Sequence, residues 1–169
     1  MSPTGYWTFF CTPERWNIDG FLGSGKTKAR YQIQINQQEH IAPGQFGIIS
    51  VLDDNRKNIH PWYYTKPNLN RGIYAVLEIT SYYSIDPDLN KPDEFNYPYY
   101  SGGKKIDPTK PTVEVLFRKD LMQHPLYTDD LRSDILINNH PLLLTGRRGI
   151  SCSVLEKATF DRILEIAKV

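Results

Sequence analysis

The chain is short of the residues that build metal centres and disulfide frameworks. Cys11 and Cys152 are its only cysteines in 169 residues, and they fall in no metal-ligand spacing, so neither a zinc site nor a disulfide scaffold is expected. A reduced, cytoplasmic setting follows. His40, His60, His124 and His140 are scattered, three of them beside proline, and no H-x-x-x-H or paired-carboxylate spacing accompanies them. No metal, cofactor or H-N-H type nuclease cluster is expected within these residues. Apolar runs are also short: none approaches the ~20 residues that span a bilayer, and the start MSPTGYWTFF has no basic segment leading into a long apolar core. No membrane partner is read. Net charge is nearly absent, at +1, which neither indicates nor excludes nucleic acid, because a basic groove can be balanced by acidic residues elsewhere.

What is present is a chain of one-domain length, with hydrophobic residues at 40% and charged residues at 23%, values typical of a globular domain. Eleven tyrosines and three tryptophans supply flat faces with polar handles, which suit base stacking and equally suit strands and core rims. Tyr6–Phe10 reads as a first strand. Thr12, Pro13 and Glu14 form a helix start, predicting one or two turns that Asn17, Asp19 and Gly20 end. Alternation from Ala29 to Ile35 predicts an extended segment. Phe46 to Leu52 and Gly72 to Thr80 read as strands, with a polar turn from Asp53 to Asn58 between them. A long loop from Ser84 to Pro111 follows. Val113 to Phe117 is a further strand, and a short helix begins near Thr128. Gly149 to Ser153 is the last strand. Ser153 and Glu156 then form a capping box for a helix carrying Phe160, Ile163, Leu164 and Ala167 on one face. This order is α+β rather than the alternating βαβ of a parallel sheet.

Gly20, Gly25, Lys26 and Thr27 match the phosphate-loop pattern G-x-x-x-x-G-K-T letter for letter. Ile48 to Asp53 resembles the hydrophobic strand whose aspartate holds magnesium in such enzymes. The chemistry needs a loop that leaves a strand and enters a helix, so that N–H groups point at the phosphates. Here about ten residues separate the first strand from the motif, and strand-like alternation follows it. A phosphate-loop NTPase or kinase is therefore the runner-up.

Five segments, taken in order, carry a better match: Tyr6–Pro13, Lys28–Ile33, Ile41–Ile49 with Arg71–Ile79, and Arg147–Ser151 through Phe160–Leu164. Together they resemble an EVE domain of the PUA-like superfamily, which also holds the YTH and ASCH domains. The resemblance covers essentially the whole chain, 1–169, as one domain. It implies a PUA-like twisted β-barrel of about five to six strands flanked by short helices, with a C-terminal helix. A pocket at one mouth would receive a single base rotated out of double-stranded DNA, 5-methylcytosine or 5-hydroxymethylcytosine. Such domains are often fused to a nuclease in modification-dependent restriction enzymes; they bind and do not cut. Any nuclease activity would lie outside these residues, with this chain as the N-terminal module. A PUA-like binder of RNA or a small ligand is the remaining alternative.

A flipped base needs flat walls, polar atoms at its edge and cations for the flanking phosphates. By the resemblance, Tyr31 is one wall, where relatives often carry tryptophan; an ordinary strand tyrosine is the alternative. Phe10, Cys11 and Thr12 correspond to the segment whose backbone meets the base edge, with a plain strand end as the alternative. Arg30 and Gln32 flank Tyr31 within the pocket group. The second wall falls to Tyr82 or Tyr83, with Tyr99 or Tyr100 further along the loop and Trp16 and Trp62 as further candidates. Lys26, Lys28, Arg147 and Arg148 are the candidate contacts to the nucleic-acid backbone, a solvated basic face being the default for each.

Overall fold

A computed structural model of the chain describes residues 4–59, 66–85, 109–146 and 150–169. The strands are β1 (Tyr6–Cys11), β2 (Lys28–Gln32), β3 (Phe46–Val51), β4 (Gly72–Ile79), β5 (Thr112–Asp120), β6 (Leu126–Tyr127) and β7 (Cys152–Val154). They form one sheet in the order β2-β5-β4-β3-β1-β7, with short β6 added to β4. β1 runs parallel to β3 and the other pairs are antiparallel. The helices are α1 (Ile18–Gly23), α2 (Arg56–Ile59), α3 (Thr128–Leu131), α4 (Ile135–Asn138), α5 (Pro141–Thr145) and α6 (Lys157–Ala167), with a 3₁₀ turn at Ile35–Gln37.

Alternation along the strands gives the sheet an apolar side in each direction. Trp7, Phe9, Ile49, Ala75, Leu77 and Val115 face inward with Ile18 and Phe21 of α1. Ile48, Val76, Leu131, Ile137, Phe160 and Ile163 form a second core between the outer face and the C-terminal helices. Tyr74 is the point of exchange: Ile49 pairs with Ala75 and Ser50 with Ile73, so Tyr74 is an extra residue, and its bulge moves Ile73 to the outer core. Its hydroxyl donates to the Asn70 carbonyl at 2.7 Å.

The curl of the sheet brings β2 toward β1 and β7, and side chains rather than a strand ladder bridge that seam. The Tyr31 hydroxyl donates to the Phe10 carbonyl at 3.0 Å, Gln37 Nε2 to the Cys152 carbonyl at 2.7 Å, and Gln34 Nε2 to Ser151 Oγ at 3.3 Å. These glutamines explain why extended structure stops at Gln32 rather than Ile35. Gln34 and Gln37 form a reciprocal capping box around the 3₁₀ turn, and Gln37, 2% exposed, reaches β7 from it.

Three other local expectations are corrected. Thr12 to Trp16 is a tight turn, with Arg15 N–H donating to the Thr12 carbonyl, and the helix begins at Ile18, through the residues expected to end it. Burial of Ile18, Phe21 and Leu22 outweighs the weak propensity of Gly20, and Asp19 suits the first turn. Residues 53–58 contain the start of α2 rather than turn alone. The capping box at α6 is absent: Ser153 lies within β7, and Glu156 occupies the N-cap with no side-chain bond. The helix face itself is as expected, with Phe160 and Ile163 buried and Leu164 and Ala167 packed beside them.

Close packing at Gly72 gives a stability prediction. A Cβ there would lie 2.6 Å from the Leu126 carbonyl oxygen and 3.1 Å from Tyr127 Cα, both backbone atoms that cannot step aside. Gly72→Ala is expected to cost about 1–3 kcal/mol by urea unfolding through loss of the β4–β6 pairing. An unchanged midpoint would show that β6 shifts freely.

Candidate nucleic-acid interface

The inner end of the barrel is filled by aromatic rings drawn from distant parts of the chain. Phe9 and Tyr31 meet edge-on at 5.1 Å and Tyr31 and Trp16 edge-on at 5.7 Å, while Trp16 and Phe21 at 5.0 Å and Phe21 and Phe117 at 4.8 Å are tilted. Tyr31 is 9% exposed and Trp16 7%. Their rings stand 79° apart, an edge-to-face contact favoured by the ring quadrupoles, so the two do not form parallel walls. Phe10 and Cys11 are buried as well.

The backbone of the proposed edge-reading segment is largely engaged. Phe10 N–H donates to the Ser151 carbonyl, the Cys11 carbonyl accepts from Leu52, and the Thr12 carbonyl accepts from Arg15 and Trp16. The Cys11 thiol donates to the Trp16 carbonyl at 3.6 Å. Burial pushes it well above the ordinary thiol range, and the Tyr31 hydrogen bond and Arg56 charge offset this only in part. Cys152 is raised by burial too. Neither is a nucleophile at neutral pH.

The more accessible candidates lie on β2, in the loop before it and just after β1. Thr12, Arg30 and Gln32 are partly exposed, and Lys26 and Lys28 are exposed. Arg30 pairs with Glu114 across the strands at 3.7 Å. On the far side of β5, Thr80 N–H donates to the Glu114 carbonyl and Ser84 bridges Thr112, which places Tyr82 and Tyr83 at the same end of the sheet as Arg30 and Gln32. Arg147, Arg148, Trp62, Tyr99 and Tyr100 lie outside the described residues.

The phosphate-loop match fails on geometry. Gly20 is inside α1, and Ser24 to Thr27 follow the C-terminus of that helix. Ser24 Oγ caps the Phe21 carbonyl at 2.6 Å and receives the Lys26 N–H at 3.3 Å, and Gly25 takes φ +78°. Lys28 then opens β2 rather than a helix. A helix C-terminus presents carbonyls and the negative end of its dipole, the reverse of a phosphate cradle. Asp53, the magnesium candidate, instead forms a two-pronged pair with Arg71, at 2.6 Å on each oxygen. Arg71 holds its carboxyl below the usual range.

The sequence reading missed a buried polar cluster under α1. Arg56 is fully buried and donates to Asp54 at 2.9 and 2.8 Å, to Asn17 at 2.8 Å and to Asp19 at 2.6 Å. Asp54 also receives the Arg56 and Leu69 N–H groups. The cluster ties the start of α1 to the segment after β3, and so fixes the helix that carries the Ser24–Thr27 loop. No local signal announces it, because Asp19 and Arg56 are far apart in sequence. Among the described residues no group of three His, Cys, Asp or Glu is arranged to hold a metal, and no helix is long and apolar enough to cross a membrane.

A separate depression of about 430 Å³ lies on the outer side, between the β6–α4 region and α6. An Arg162–Asp134 pair at 2.7 Å borders it, remote in the fold from the barrel end.

The curled mixed sheet with its short helices and C-terminal helix is a PUA-like fold. No protein-family model and no curated protein matches the chain, whereas solved structures do. Human THYN1 in complex with 5-methylcytosine-containing DNA superposes with a TM-score of 0.61 at 16% identity, over 97% of this chain and 98% of that one. The DUF55 domain of human thymocyte nuclear protein 1 gives 0.57 at 17%, over 97% and 99%. A hypothetical protein from Leishmania major gives 0.63 at 14%, over 98% and 95%. At such identities the likeness establishes the shared fold.

Proposed function

We propose that the chain acts as one module that recognises a modified base in double-stranded DNA, 5-methylcytosine or 5-hydroxymethylcytosine, taken out of the duplex at the barrel end between β1 and β2. The observation that carries this reading is the full-length likeness to a human protein captured with 5-methylcytosine-containing DNA. The local chemistry supports it. Exposed Lys26 and Lys28 suit the phosphates, and the partly exposed Thr12, Arg30 and Gln32 supply donors and acceptors for a base edge. Trp16, Phe9 and Tyr31 make a rigid floor rather than a loose cage. The module binds and does not cut; as a specificity domain of a modification-dependent restriction endonuclease it would work with a nuclease domain, fused or associated.

The test is a titration of duplexes carrying cytosine, 5-methylcytosine, 5-hydroxymethylcytosine or N6-methyladenine, against single-stranded RNA and ATP. A modified-cytosine duplex is expected to bind at least tenfold more tightly than its unmodified counterpart. Lys26→Ala is expected to weaken all duplexes alike and to lower the slope of log K against log salt by about one. Equal affinity for all duplexes, with tighter binding of RNA, would reverse the assignment in favour of an RNA-binding PUA-like protein.

A further inference from the structure

The segment after β4 is built as a protrusion. Thr80 N–H donates to the Glu114 carbonyl, and Ser84 and Thr112 exchange two backbone bonds at 2.9 Å. Three residues, Ser81, Tyr82 and Tyr83, therefore oppose the one residue Val113. Such excess is accommodated only by bulging outward. Ser81 braces the bulge: its Oγ accepts the Glu114 N–H at 2.9 Å and donates to the Tyr82 carbonyl at 2.8 Å. Both feet are thus tied to β5, while Tyr82 stands 69% exposed and Tyr83 37%. Ile85, one residue beyond the bridge, is 55% exposed. Three exposed large side chains within four residues, Tyr82, Tyr83 and Ile85, suit an interaction surface rather than a scatter of single apolar residues.

Tyr82 is poorly placed to wall the same pocket as Tyr31. A base held between two rings needs them roughly 7 Å apart, twice the ~3.4 Å spacing of stacked bases. Tyr31 pairs with Val113 on one side of β5 and the bulge lies on the other, two strand spacings away, or about 10 Å. Tyr31 also points into the inner core, while Tyr82 faces solvent.

We propose that Tyr82 is a wedge: it enters the DNA stack at the position the flipped base leaves, while exposed Lys28, across β5, approaches a neighbouring phosphate. This rests on the modified-base reading and deepens it. An aromatic inserted at that point recovers the stacking the duplex loses when a base departs, and charge complementarity favours a polyanion over an apolar protein partner. Because the wedge acts on the duplex and not on the extruded base, its contribution does not depend on what occupies the pocket.

That independence is the experiment. Wild type, Tyr82→Ala, Tyr82→Phe and Tyr82→Trp are titrated with duplexes carrying 5-methylcytosine, cytosine or an abasic site at the target position. A thermal melt of each variant confirms the fold, which exposed Tyr82 does not support. Tyr82→Ala is expected to weaken the modified and abasic duplexes by the same factor, about tenfold, and the Phe and Trp variants to restore both. Loss on the modified duplex alone would make Tyr82 a pocket wall and overturn the wedge. No loss on either, with wild-type preference for 5-methylcytosine intact, would overturn the wedge and leave the modified-base reading standing. Wild type that fails to distinguish modified, unmodified and abasic duplexes would sink both.

Discussion

Arg56→Met is expected to destabilise the protein by about 3–5 kcal/mol, a large share of the roughly 5–15 kcal/mol available to a domain of this size. The reason is the company the side chain keeps. Arg56 is completely buried and faces two carboxylates, Asp54 and Asp19, and removing the cation leaves both without compensation at the base of α1. By contrast, Asp53 is exposed and Arg71 partly so, and surface pairs of that kind are worth under about 1 kcal/mol. Arg56→Lys should recover little, because a point charge cannot reproduce the forked contact with Asp54 while also reaching Asn17. Urea unfolding of the two variants checks this; a loss below 1 kcal/mol for Arg56→Met would show that water enters and solvates the carboxylates.

The same cluster sets an acid limit. Burial alone would raise the Asp54 carboxyl, but hydrogen bonds from the Arg56 side chain and from the Leu69 and Arg56 N–H groups outweigh it, and the net shift is downward. A carboxyl depressed in the folded state contributes stability that is fully present above the unfolded value near 3.9. That contribution is lost as pH falls through the lower folded value. Arg56 is shifted the other way: burial opposes its charge, while the Asp54 and Asp19 carboxylates hold the proton, so it stays charged throughout.

How much of this was legible in the sequence depended on whether the determining contacts were local. β1, β3 and β4 were readable because continuous apolar, aromatic and β-branched runs mark strands buried on both faces. α6 was readable from the spacing of Phe160, Ile163 and Leu164. α1 was not, because a six-residue helix with Gly20 inside has little propensity of its own and exists by burying Ile18, Phe21 and Leu22. The phosphate-loop letters were discounted on the strand-like alternation that follows them, and the structure adds that they sit at and beyond the C-terminus of a short helix the sequence did not announce. The Ser81–Tyr83 bulge was invisible for a related reason. It is defined by a count of residues against Val113 across the sheet, which no stretch of sequence contains. Tyr82 and Tyr83 were nevertheless singled out from the sequence, as candidates for a second pocket wall, and the structure places them exposed on a braced bulge.

Tyr31 shows where sequence and structure pull apart most sharply, and the pull has a measurable consequence. Tyr31→Ala is expected to cost about 3–5 kcal/mol, as for other large aromatics removed from a core, because the ring packs against Phe9 and Trp16 and the side chain is almost wholly enclosed. Loss of DNA binding in that variant would then report a damaged barrel and not a missing wall. Tyr31→Phe separates the two. It keeps the ring and its edge contacts and removes the hydroxyl that reaches the Phe10 carbonyl across the seam, so a cost of about 1–3 kcal/mol is expected from the buried acceptor left without its donor. If the ring serves as the rigid floor of the base site, preference for the modified duplex should survive in Tyr31→Phe while the melting temperature falls. Loss of that preference at full stability would mean that the hydroxyl leaves Phe10 to meet the base, and that the seam between β1 and β2 opens on binding.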